Sequence, residues 1–324
     1  MILQKLIDSY VFALLQGTLD KHIETIAYDS RKVKKNSLFV CIKGFESDGH
    51  DFIDQAVAQG ASALLVERST ENIPENVTVI QVANTRNALA YVAANFYGHA
   101  DENFCLIGIT GTKGKTSVAD LINKVLVGAG IRTGLIGSNG AAIDGQVHDF
   151  TSTTKTTPES LELHKLFYEM SNAGVECVVL EVSSHALELC RVDYCAFDKG
   201  VFTNISPDHL DFHGAMERYE YAKRKLFLKC KTSIINRDDA LSQKIISENK
   251  NIVTYSAQRP ADIYASNIVR NENLCSFTVH YDDACAALDV ALPGRTHVHN
   301  VLAAFASCYH MNIAAEKIIG GLEI

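Results

Sequence analysis

The sequence predicts an α/β protein of two domains, and three observations lead to this prediction. Short apolar segments typical of strands alternate with segments of helical periodicity along most of the chain. Several strand segments, such as "VECVVLEV", are unbroken runs of apolar residues, which favours strands covered on both faces and hence a largely parallel sheet. The chain has 324 residues, which is long for one hydrophobic core, so two domains are expected.

The polar stretch "GHADEN" is the best candidate for a domain boundary, which gives a small N-terminal α/β domain over 1–101. Its predicted strands are "SLFVCIKG", "SALLVE" and "VTVIQV", and its predicted helices are "DFIDQAVAQG" and "TRNALAYVAANFYG". The first segment, "MILQKLIDSYVFALLQG", is apolar at helical spacing but is interrupted by Lys5 and Asp8. It also lacks a small-residue cleavage site, so we predict a folded helix and not a signal peptide.

The second domain is predicted over 102–324, with a largely parallel sheet flanked by helices. A strand "FCLIGIT" leads through a glycine-containing turn into the helix "KTSVADLINKVLVGAG". Further helices are predicted at "PESLELHKLFYEMSNAG", "AMERYEYAKRKLFLK", "HVHNVLAAFASCYHM" and "AAEKIIGGLEI". Further strands are predicted at "VECVVLEV", "GVFTNIS", "TSIIN", "NIVTYSA", "CSFTVHY" and "LDVALPG".

Composition excludes several classes of function. A net charge of −8 without any Lys- or Arg-rich run argues against a nucleic-acid-binding protein. No apolar run approaches the length of a membrane span. The nine cysteines include no Cys-x-x-Cys pair and most lie in apolar segments, so we expect reduced thiols and a cytoplasmic location.

The segment "GITGTKGKTS" has the character of a phosphate-binding loop. Gly111 and Gly114 allow the backbone to approach an anion, Lys115 can reach β- and γ-phosphates, and Thr116 can bind Mg²⁺. The strict P-loop pattern is missed by one position, since Ile109 stands where its first glycine belongs. The alternative is an ordinary strand–helix turn with an incidental lysine, but the preceding strand and following helix favour a nucleotide site.

Three further groups of polar residues suit such a site. Glu181 ends an apolar strand in "VVLEVSSH", where a carboxylate is costly unless it is paired, binds a metal or caps a helix. The segment "TNISPDHLDFHG" crowds ligand-type residues after another strand, although alone it could be a solvated loop. Lys223 lies four residues after Tyr219 on a predicted inward helix face, where a lysine more commonly extends to the surface.

Together these segments resemble the Mur ligase family, and most closely its MurE type, over essentially the whole chain. The similar motifs are "TGTKGKT", "LEVSSHAL", "TNISPDHLDFHG", "YEYAKRKLF", "LPGR…HN" and "TTPES", with "YDSRKVKKNSLFVCIKGFESDGHDFIDQAVAQGA" in the N-terminal domain. The resemblance implies an ATP-dependent, ADP-forming ligase of peptidoglycan precursor synthesis. It would add L-lysine or meso-diaminopimelate to UDP-N-acetylmuramoyl-L-alanyl-D-glutamate through an acyl phosphate, and the sequence leaves open which amino acid is used.

The resemblance also implies roles for individual residues. ATP and its magnesium would be held by the loop and two asparagines, namely Thr110, Gly111, Thr112, Lys113, Gly114, Lys115, Thr116, Ser117, Asn204 and Asn300. The catalytic residues would be Lys115, Glu181, His209 and Lys223, with Lys223 carbamylated by CO₂. The magnesium ligands would be Thr116, Glu181, His209 and the Lys223 carbamate, which supplies hard oxygen donors. The UDP-precursor would contact Ser30, Thr156, Thr157, Ser183 and Arg191.

The sequence departs from the family pattern at Lys155, Leu189 and the pair Thr296 and His297, where family members commonly carry other residues. It also stops near the point where a C-terminal ligase domain would begin. We therefore expect this domain to be absent. If the 324 residues are the entire polypeptide, the chain is expected to bind its precursor, and ATP only weakly, without completing the ligation. A monomer is expected, with a separately encoded C-terminal partner as one option.

Two other functions would also fit parts of this sequence. The first is a truncated, non-catalytic paralogue that binds the UDP-precursor or forms half of a split ligase. The second is an unrelated P-loop NTPase or kinase, which would leave the N-terminal domain unexplained.

Overall fold

The computed structural model describes residues 1–148, 154–271, 274–291 and 297–323. The chain divides into two compact units. The first unit contains Met1–Ala100 together with Glu159–Tyr168 and Leu189–Tyr194, and the second contains Asp101–Pro158, Glu169–Glu188 and Cys195–Ile324. The first unit thus takes in two short segments that follow the predicted boundary at residue 101.

The first unit is built on a five-stranded sheet of order β1-β5-β4-β3-β2. Neighbouring strands are parallel except β1, which runs antiparallel to β5. Its strands are β1 (Ala13–Gln16), β2 (Thr25–Ala27), β3 (Ser37–Val40), β4 (Ala61–Val66) and β5 (Thr78–Gln81). Its complete helices are α1 (Leu3–Ile7), α2 (Ile53–Ala58) and α3 (Thr85–Phe96), with 3-10 turns at Ser30–Lys32 and Gly49–Phe52.

Alternate residues of the central strands serve two separate cores. Leu38 and Leu65 belong to the cluster under α1 and α3, whereas Phe39 and Leu64 belong to the cluster under α2. Both faces of the sheet are therefore covered, which explains why these strands appear in the sequence as unbroken apolar runs.

The prediction of one N-terminal helix is wrong. The helix α1 ends at Ile7, and Ser9 adopts a left-handed backbone with φ of 64°. Residues Ala13 and Leu14 then pair with β5 as an edge strand. Backbone pairing with an existing sheet edge outweighs the helical spacing of the side chains, and Leu14 and Leu15 stay exposed.

The second unit contains an eleven-stranded sheet of order β16-β15-β14-β13-β12-β11-β6-β10-β7-β8-β9. The seven middle strands are parallel, and the pairs involving β8, β9, β15 and β16 are antiparallel. The strands are β6 (Cys105–Thr110), β7 (Thr133–Gly137), β8 (Gly140–Ile143), β9 (Gln146–His148), β10 (Cys177–Glu181), β11 (Lys199–Phe202), β12 (Thr232–Asn236), β13 (Ile252–Ser256), β14 (Ile263–Arg270), β15 (Cys275–Tyr281) and β16 (Ala284–Val290).

Helices flank this sheet, so the predicted α/β class with a largely parallel sheet is confirmed. They are α4 (Lys115–Gly128), α5 (Ser160–Asn172), α6 (Ser184–Glu188), α7 (Leu210–His213), α8 (Met216–Arg224), α9 (Ser242–Glu248), α10 (His297–Tyr309) and α11 (Ala315–Leu322), and α5 contributes its first part to the other unit. The main core lies under α4 and α10, where Ile107, Val179, Leu126 and Leu302 are fully buried. No helix in the described ranges has the length and apolar character needed to cross a membrane.

Most predicted strands of this unit are present, but four were missed and one starts earlier than expected. The missed strands are β7, β8, β9 and β14, and β16 begins at Ala284 instead of Leu288. β14 alternates buried and partly exposed positions only at its start, where it pairs with β13, and the rest of the strand pairs with β15 alone. Part of the predicted segment "LDVALPG" lies outside the described residues.

The order of the parallel strands positions the polar residues. β6 lies between β10 and β11, and all three run in the same direction. Their carboxyl ends therefore meet at one edge of the sheet, which is where open α/β sheets bind ligands. The residues that follow these ends include Gly111, Val182 and Thr203.

We expect Leu126→Ala to lower the free energy of unfolding by about 2–5 kcal/mol, because it opens a cavity between α4 and the sheet. The neighbouring Val127 is 49% exposed, so Val127→Ala should change it by less than about 0.5 kcal/mol. Urea denaturation followed by circular dichroism measures both changes. Equal losses in the two variants would contradict the placement of α4.

Candidate phosphate-binding site

The turn between β6 and α4 needs glycine at two positions. Gly111 has φ of 153°, and a Cβ there would lie 1.9 Å from Thr203 Oγ1. Gly114 has φ of 87°, and a Cβ there would lie 2.6 Å from Asn300 Oδ1. Gly114 caps α4 without a side-chain hydrogen bond, so the first N–H groups of this 14-residue helix are available to an anion.

The segment after β11 holds the loop in shape. The backbone N–H of Lys113 donates to Asn204 Oδ1 at 3.0 Å, and Asn204 Nδ2 donates to the Lys113 carbonyl at 2.9 Å. Thr203 Oγ1 donates to the same carbonyl at 2.8 Å. The Asn204 amide is thus engaged at both ends by Lys113, which fixes the loop, and Asn204 also lines the cavity beside the loop. Its contact with the nucleotide stays a prediction.

Thr112 provides a second anchor. Its Oγ1 accepts from the backbone N–H of Ser206 at 3.0 Å and lies 3.0 Å from the hydroxyl of Tyr219. Tyr219 is fully buried, and burial raises the pKa of its hydroxyl. The sequence analysis used Tyr219 only to orient α8, and its apolar helix face gave no sign that the hydroxyl would reach the loop.

Lys115 folds back over the loop. Its Nζ donates to the carbonyls of Gly111 at 3.0 Å and Thr112 at 3.3 Å. Burial lowers the pKa of Lys115, while the nearby carboxylates of Glu181 and Asp208 oppose that shift. The lysine is thus already at the mouth of the turn, where it can neutralise a phosphate.

Glu181 is buried, with 2% of its surface exposed, and three donors surround its carboxylate. Thr116 Oγ1 donates to Oε2 at 2.9 Å, the Ser138 backbone N–H donates to Oε1 at 2.9 Å, and Ser138 Oγ donates to Oε2 at 3.2 Å. The helix α6 is capped by another residue, Ser183, whose Oγ accepts from the N–H of Ala186 at 3.1 Å. Helix capping therefore does not explain Glu181.

Ser138 was missed by the sequence analysis. It follows β7, and the only available signal was the segment "TGLIGSNG", which places small residues after a strand of the same sheet. Gly137 leaves the room that Glu181 needs, since a Cβ there would lie 2.1 Å from Glu181 Oε1.

The predicted substrate residues of the second unit are linked to Glu181. Thr157 Oγ1 donates to the Glu181 carbonyl at 2.8 Å and accepts from the backbone N–H of Ser183 at 3.0 Å. Thr156 has a left-handed backbone with φ of 66°, and its hydroxyl lies 3.1 Å from Ser138 Oγ. The "TTPES" segment is thereby attached to the carboxyl end of β10.

Lys223 and His209 both lie near the ring of Tyr219. Lys223 is 1% exposed, and its Nζ lies 4.5 Å from the centre of the Tyr219 ring. Burial, and then the charge of Lys115, lower the pKa of Lys223 well below its usual value. The His209 side chain is half exposed, with its ring centre 6.4 Å from that of Tyr219 and its Nε2 3.7 Å from Asp208 Oδ2.

Among the described residues, no group of three or more His, Cys, Asp and Glu side chains is arranged to hold a metal ion. The predicted ligands Thr116 and Glu181 are in hydrogen-bond contact. Both offer oxygen donors beside the loop, which suits the preference of Mg²⁺. Lys223 offers such donors only if it is carbamylated, and His209 and Lys223 remain predicted ligands.

A cavity of about 220 Å³ adjoins the loop on the side of α10. Its lining includes Asn300, which is 4% exposed and contacts Gly114, and also Asp238 and His299. Asp238 accepts hydrogen bonds from His299 Nε2 at 2.9 Å and from Ser256 Oγ at 2.7 Å. Burial raises the pKa of Asp238, but these hydrogen bonds outweigh burial and lower it. Thr296 lies outside the described residues, as does the "LPGR" part of the predicted motif.

The first unit contains the other two predicted substrate residues. Ser30 is buried and donates to Gln55 Oε1 at 2.9 Å. Arg191 is also buried, which lowers its pKa, and its Nε lies 3.4 Å from Glu159 Oε2. Arg86 Nη1 lies 3.3 Å from the same oxygen. The sequence analysis missed Arg86 and Glu159, although Glu159 stands inside the quoted "TTPES" segment.

Comparison with known proteins adds a family to this geometry. The Mur ligase middle domain matches residues 109–308, and the catalytic domain of the Mur ligase family matches residues 22–97. A protein of Clostridium perfringens named UDP-N-acetylmuramoyl-L-alanyl-D-glutamate–2,6-diaminopimelate ligase is 39% identical over 329 residues, covering 100% of this chain and 67% of that protein. A protein of Clostridioides difficile with the same name is 41% identical over 315 residues, covering 96% and 64%.

Solved structures give the same fold. A structure titled as a UDP-N-acetylmuramoyl-L-alanyl-D-glutamate–2,6-diaminopimelate ligase superposes with a TM-score of 0.85 at 23% identity, covering 99% of this chain and 66% of that one. A MurF ligase from Thermotoga maritima in complex with ADP has a TM-score of 0.63 at 20% identity, covering 92% and 65%. The chain spans about two thirds of the length of these relatives.

We expect Gly111→Ala to lower the free energy of unfolding by about 1–3 kcal/mol, because the new methyl group collides with Thr203 and the Asn204 backbone. Gly128→Ala is the matched control: no atom lies within 4 Å of a Cβ there, so stability should stay the same or rise by up to about 1 kcal/mol. Denaturant titration measures both. A harmless Gly111→Ala would contradict the tight contact between the loop and β11.

Proposed function

The chain belongs to the Mur ligase family, and we propose that it acts in the ATP-dependent addition of 2,6-diaminopimelate to UDP-N-acetylmuramoyl-L-alanyl-D-glutamate. One observation carries the proposal: the loop at 111–117 opens beside the buried Glu181, which accepts a hydrogen bond from Thr116. The choice of diaminopimelate over lysine rests on the names of the relatives. The predicted cytoplasmic location is part of the same proposal.

The loop would bind the triphosphate of ATP. The free N–H groups at the start of α4 and the ammonium of Lys115 supply positive potential at one point. On binding, Lys115 would exchange its contacts with the loop carbonyls for phosphate oxygens. The cavity lined by Lys113 and Asn300 adjoins the loop and suits the nucleoside part of ATP.

Magnesium would be held at the Thr116 hydroxyl and the Glu181 carboxylate. When bound, the ion supplies charge neutralisation for the phosphates during transfer. Glu181 is already desolvated and oriented by Ser138, so the site needs little rearrangement before it accepts a cation.

The reaction that these residues would support has two steps. The D-glutamate carboxylate attacks the γ-phosphorus, the bond between that phosphorus and the β,γ-bridging oxygen breaks, and ADP leaves an acyl phosphate. The amine of diaminopimelate then attacks the acyl carbon, loses a proton and expels inorganic phosphate. The chain contributes by holding two anionic reactants in contact, and Lys115 offsets the charge that opposes their approach.

The proposed contacts of the UDP-precursor in the second unit lie close to Glu181. Thr156, Thr157 and Ser183 are attached to the strand end that carries Glu181, so a substrate bound to them would lie near the phosphate loop. Ser30 and Arg191, in the first unit, are the remaining proposed contacts. The Glu159 carboxylate restrains Arg191 in a buried position, which favours recognition of an anionic group by its guanidinium.

Glu181→Gln tests the proposal. We expect polypeptide 1–324 to bind ATP with Mg²⁺ in isothermal titration. With UDP-N-acetylmuramoyl-L-alanyl-D-glutamate it should form an acyl phosphate that hydroxylamine traps as a hydroxamate. Glu181→Gln keeps the shape but removes the charge, so Mg²⁺-dependent ATP affinity should fall by about 10–100-fold.

The control is Glu188→Gln, an exposed glutamate on α6, which should behave as the unaltered chain does. An unaltered chain that binds the UDP-precursor but not ATP would support the non-catalytic paralogue instead. ADP formation that does not need the muramoyl substrate would support an unrelated NTPase.

Lys223 is proposed to carry a carbamate, and isotope labelling tests this. Its lowered pKa leaves more neutral amine, the form that attacks CO₂, so carbamate should form near neutral pH and diminish as pH falls through the folded-state pKa. We expect a carbamate carbon signal in ¹³C NMR with ¹³C-bicarbonate. Lys223→Arg should abolish it, and Lys225→Arg should leave it intact. Persistence of the signal in Lys223→Arg would reject the assignment.

A further inference from the structure

We propose that Cys105 and Cys177 form a peroxide-sensitive thiol pair, in which Cys105 is oxidised first and Cys177 then closes a reversible disulfide. This pair lies at the amino ends of β6 and β10, away from the phosphate loop at their carboxyl ends. The inference does not depend on the proposed ligase reaction.

Strand register places the two thiols side by side. Cys105 pairs directly with Cys177 across the parallel strands. Residues paired in this way point to the same face of the sheet, and both cysteines join the core cluster under α4 and α10. Neighbouring strands lie about 4.8 Å apart, which falls within the roughly 4.4–6.8 Å between Cα atoms that a disulfide accepts. A disulfide can therefore form without separating the strands.

A surface cavity gives a small oxidant access to one member of the pair. The cavity measures about 800 Å³ and is lined in part by Cys105, Glu176, Asp198 and Lys199. Cys105 is partly exposed, whereas Cys177 is fully buried. The order of oxidation follows from this difference, because the oxidant meets Cys105 first.

The electrostatic environment favours the same order. A hydrogen bond from the Cys177 thiol lowers the pKa of Cys105, and Lys199 acts in the same direction, against the effects of burial and Asp198. Donation of that hydrogen bond, together with burial, raises the pKa of Cys177. For comparison, burial raises the pKa of Cys308 to about 12. Cys105 is therefore the member of the pair that supplies thiolate.

The chemistry balances with hydrogen peroxide as the oxidant. The Cys105 thiolate attacks one peroxide oxygen, the O–O bond breaks, and the products are a sulfenic acid and hydroxide, which takes up a proton to give water. The Cys177 sulfur then attacks the Cys105 sulfur, its proton leaves with the hydroxyl group as a second water, and the S–S bond forms. Two thiols and one peroxide give one disulfide and two waters, and a thiol reductant reverses the reaction.

The experiment treats the reduced chain with a small excess of hydrogen peroxide. Differential alkylation and peptide mapping under non-reducing conditions should find a linkage between Cys105 and Cys177, with a mass loss of about 2 Da that dithiothreitol restores. Before oxidation, Cys105 should alkylate at least about tenfold faster than Cys308 at neutral pH.

Two variants separate the pair from a general reactivity of exposed thiols. Cys177→Ser removes the resolving thiol but keeps a hydrogen-bond donor beside Cys105, so sulfenic acid on Cys105 should accumulate and be trapped by dimedone. Cys285→Ser removes an exposed cysteine and should leave the linkage intact. Oxidation that reaches Cys285 while Cys105 stays reduced would overturn the proposal. A disulfide between other cysteines would also overturn it. This outcome is measured on the unaltered chain and does not depend on whether a variant folds.

Discussion

The contact between Thr116 and the buried carboxylate of Glu181 is the interaction on which the site depends. It joins the start of α4 to the end of β10, and Ser138 adds two hydrogen bonds from the end of β7. A carboxylate with 2% exposure would cost several kcal/mol without such partners. The three donors thus stabilise the carboxylate, and they also fix the direction in which it faces. The parallel order of β7, β10 and β6 makes the contact possible, because it brings three strand ends to one edge.

The loop itself is shaped by the protein before any ligand arrives. Asn204 and Thr203 bond to Lys113, Thr112 is held through its side chain, and Lys115 rests on the loop carbonyls. Such preorganisation lowers the entropic cost of ligand binding. It also gives Asn204 a structural role, because both ends of its amide bond to Lys113. In this fold, part of what a motif preserves is the shape of the binding loop.

The same strands carry different chemistry at their two ends. At the carboxyl ends of β6 and β10 lie the loop and Glu181, where charge is concentrated. At the amino ends lie Cys105 and Cys177, beside an open cavity. Lys223 and Tyr219 show a third arrangement, in which a helix places an amine in a buried position and so shifts its protonation. Each of these features results from burial of a titratable group beside a specific neighbour.

Local sequence determined the α/β class, most of the strands of the central sheet and the phosphate loop, because apolar runs and glycine positions report directly on burial and backbone geometry. It failed at residues 1–17, where helical spacing was outweighed by pairing with β5, and at four strands of the central sheet, among them β14, whose apolar pattern is weak. Tertiary structure alone decided that Ser138 supports Glu181, that Asn204 holds Lys113, and that Cys105 faces Cys177. The first two contacts join residues that are 43 and 91 positions apart in the sequence. Only the order and register of the strands bring all three pairs together.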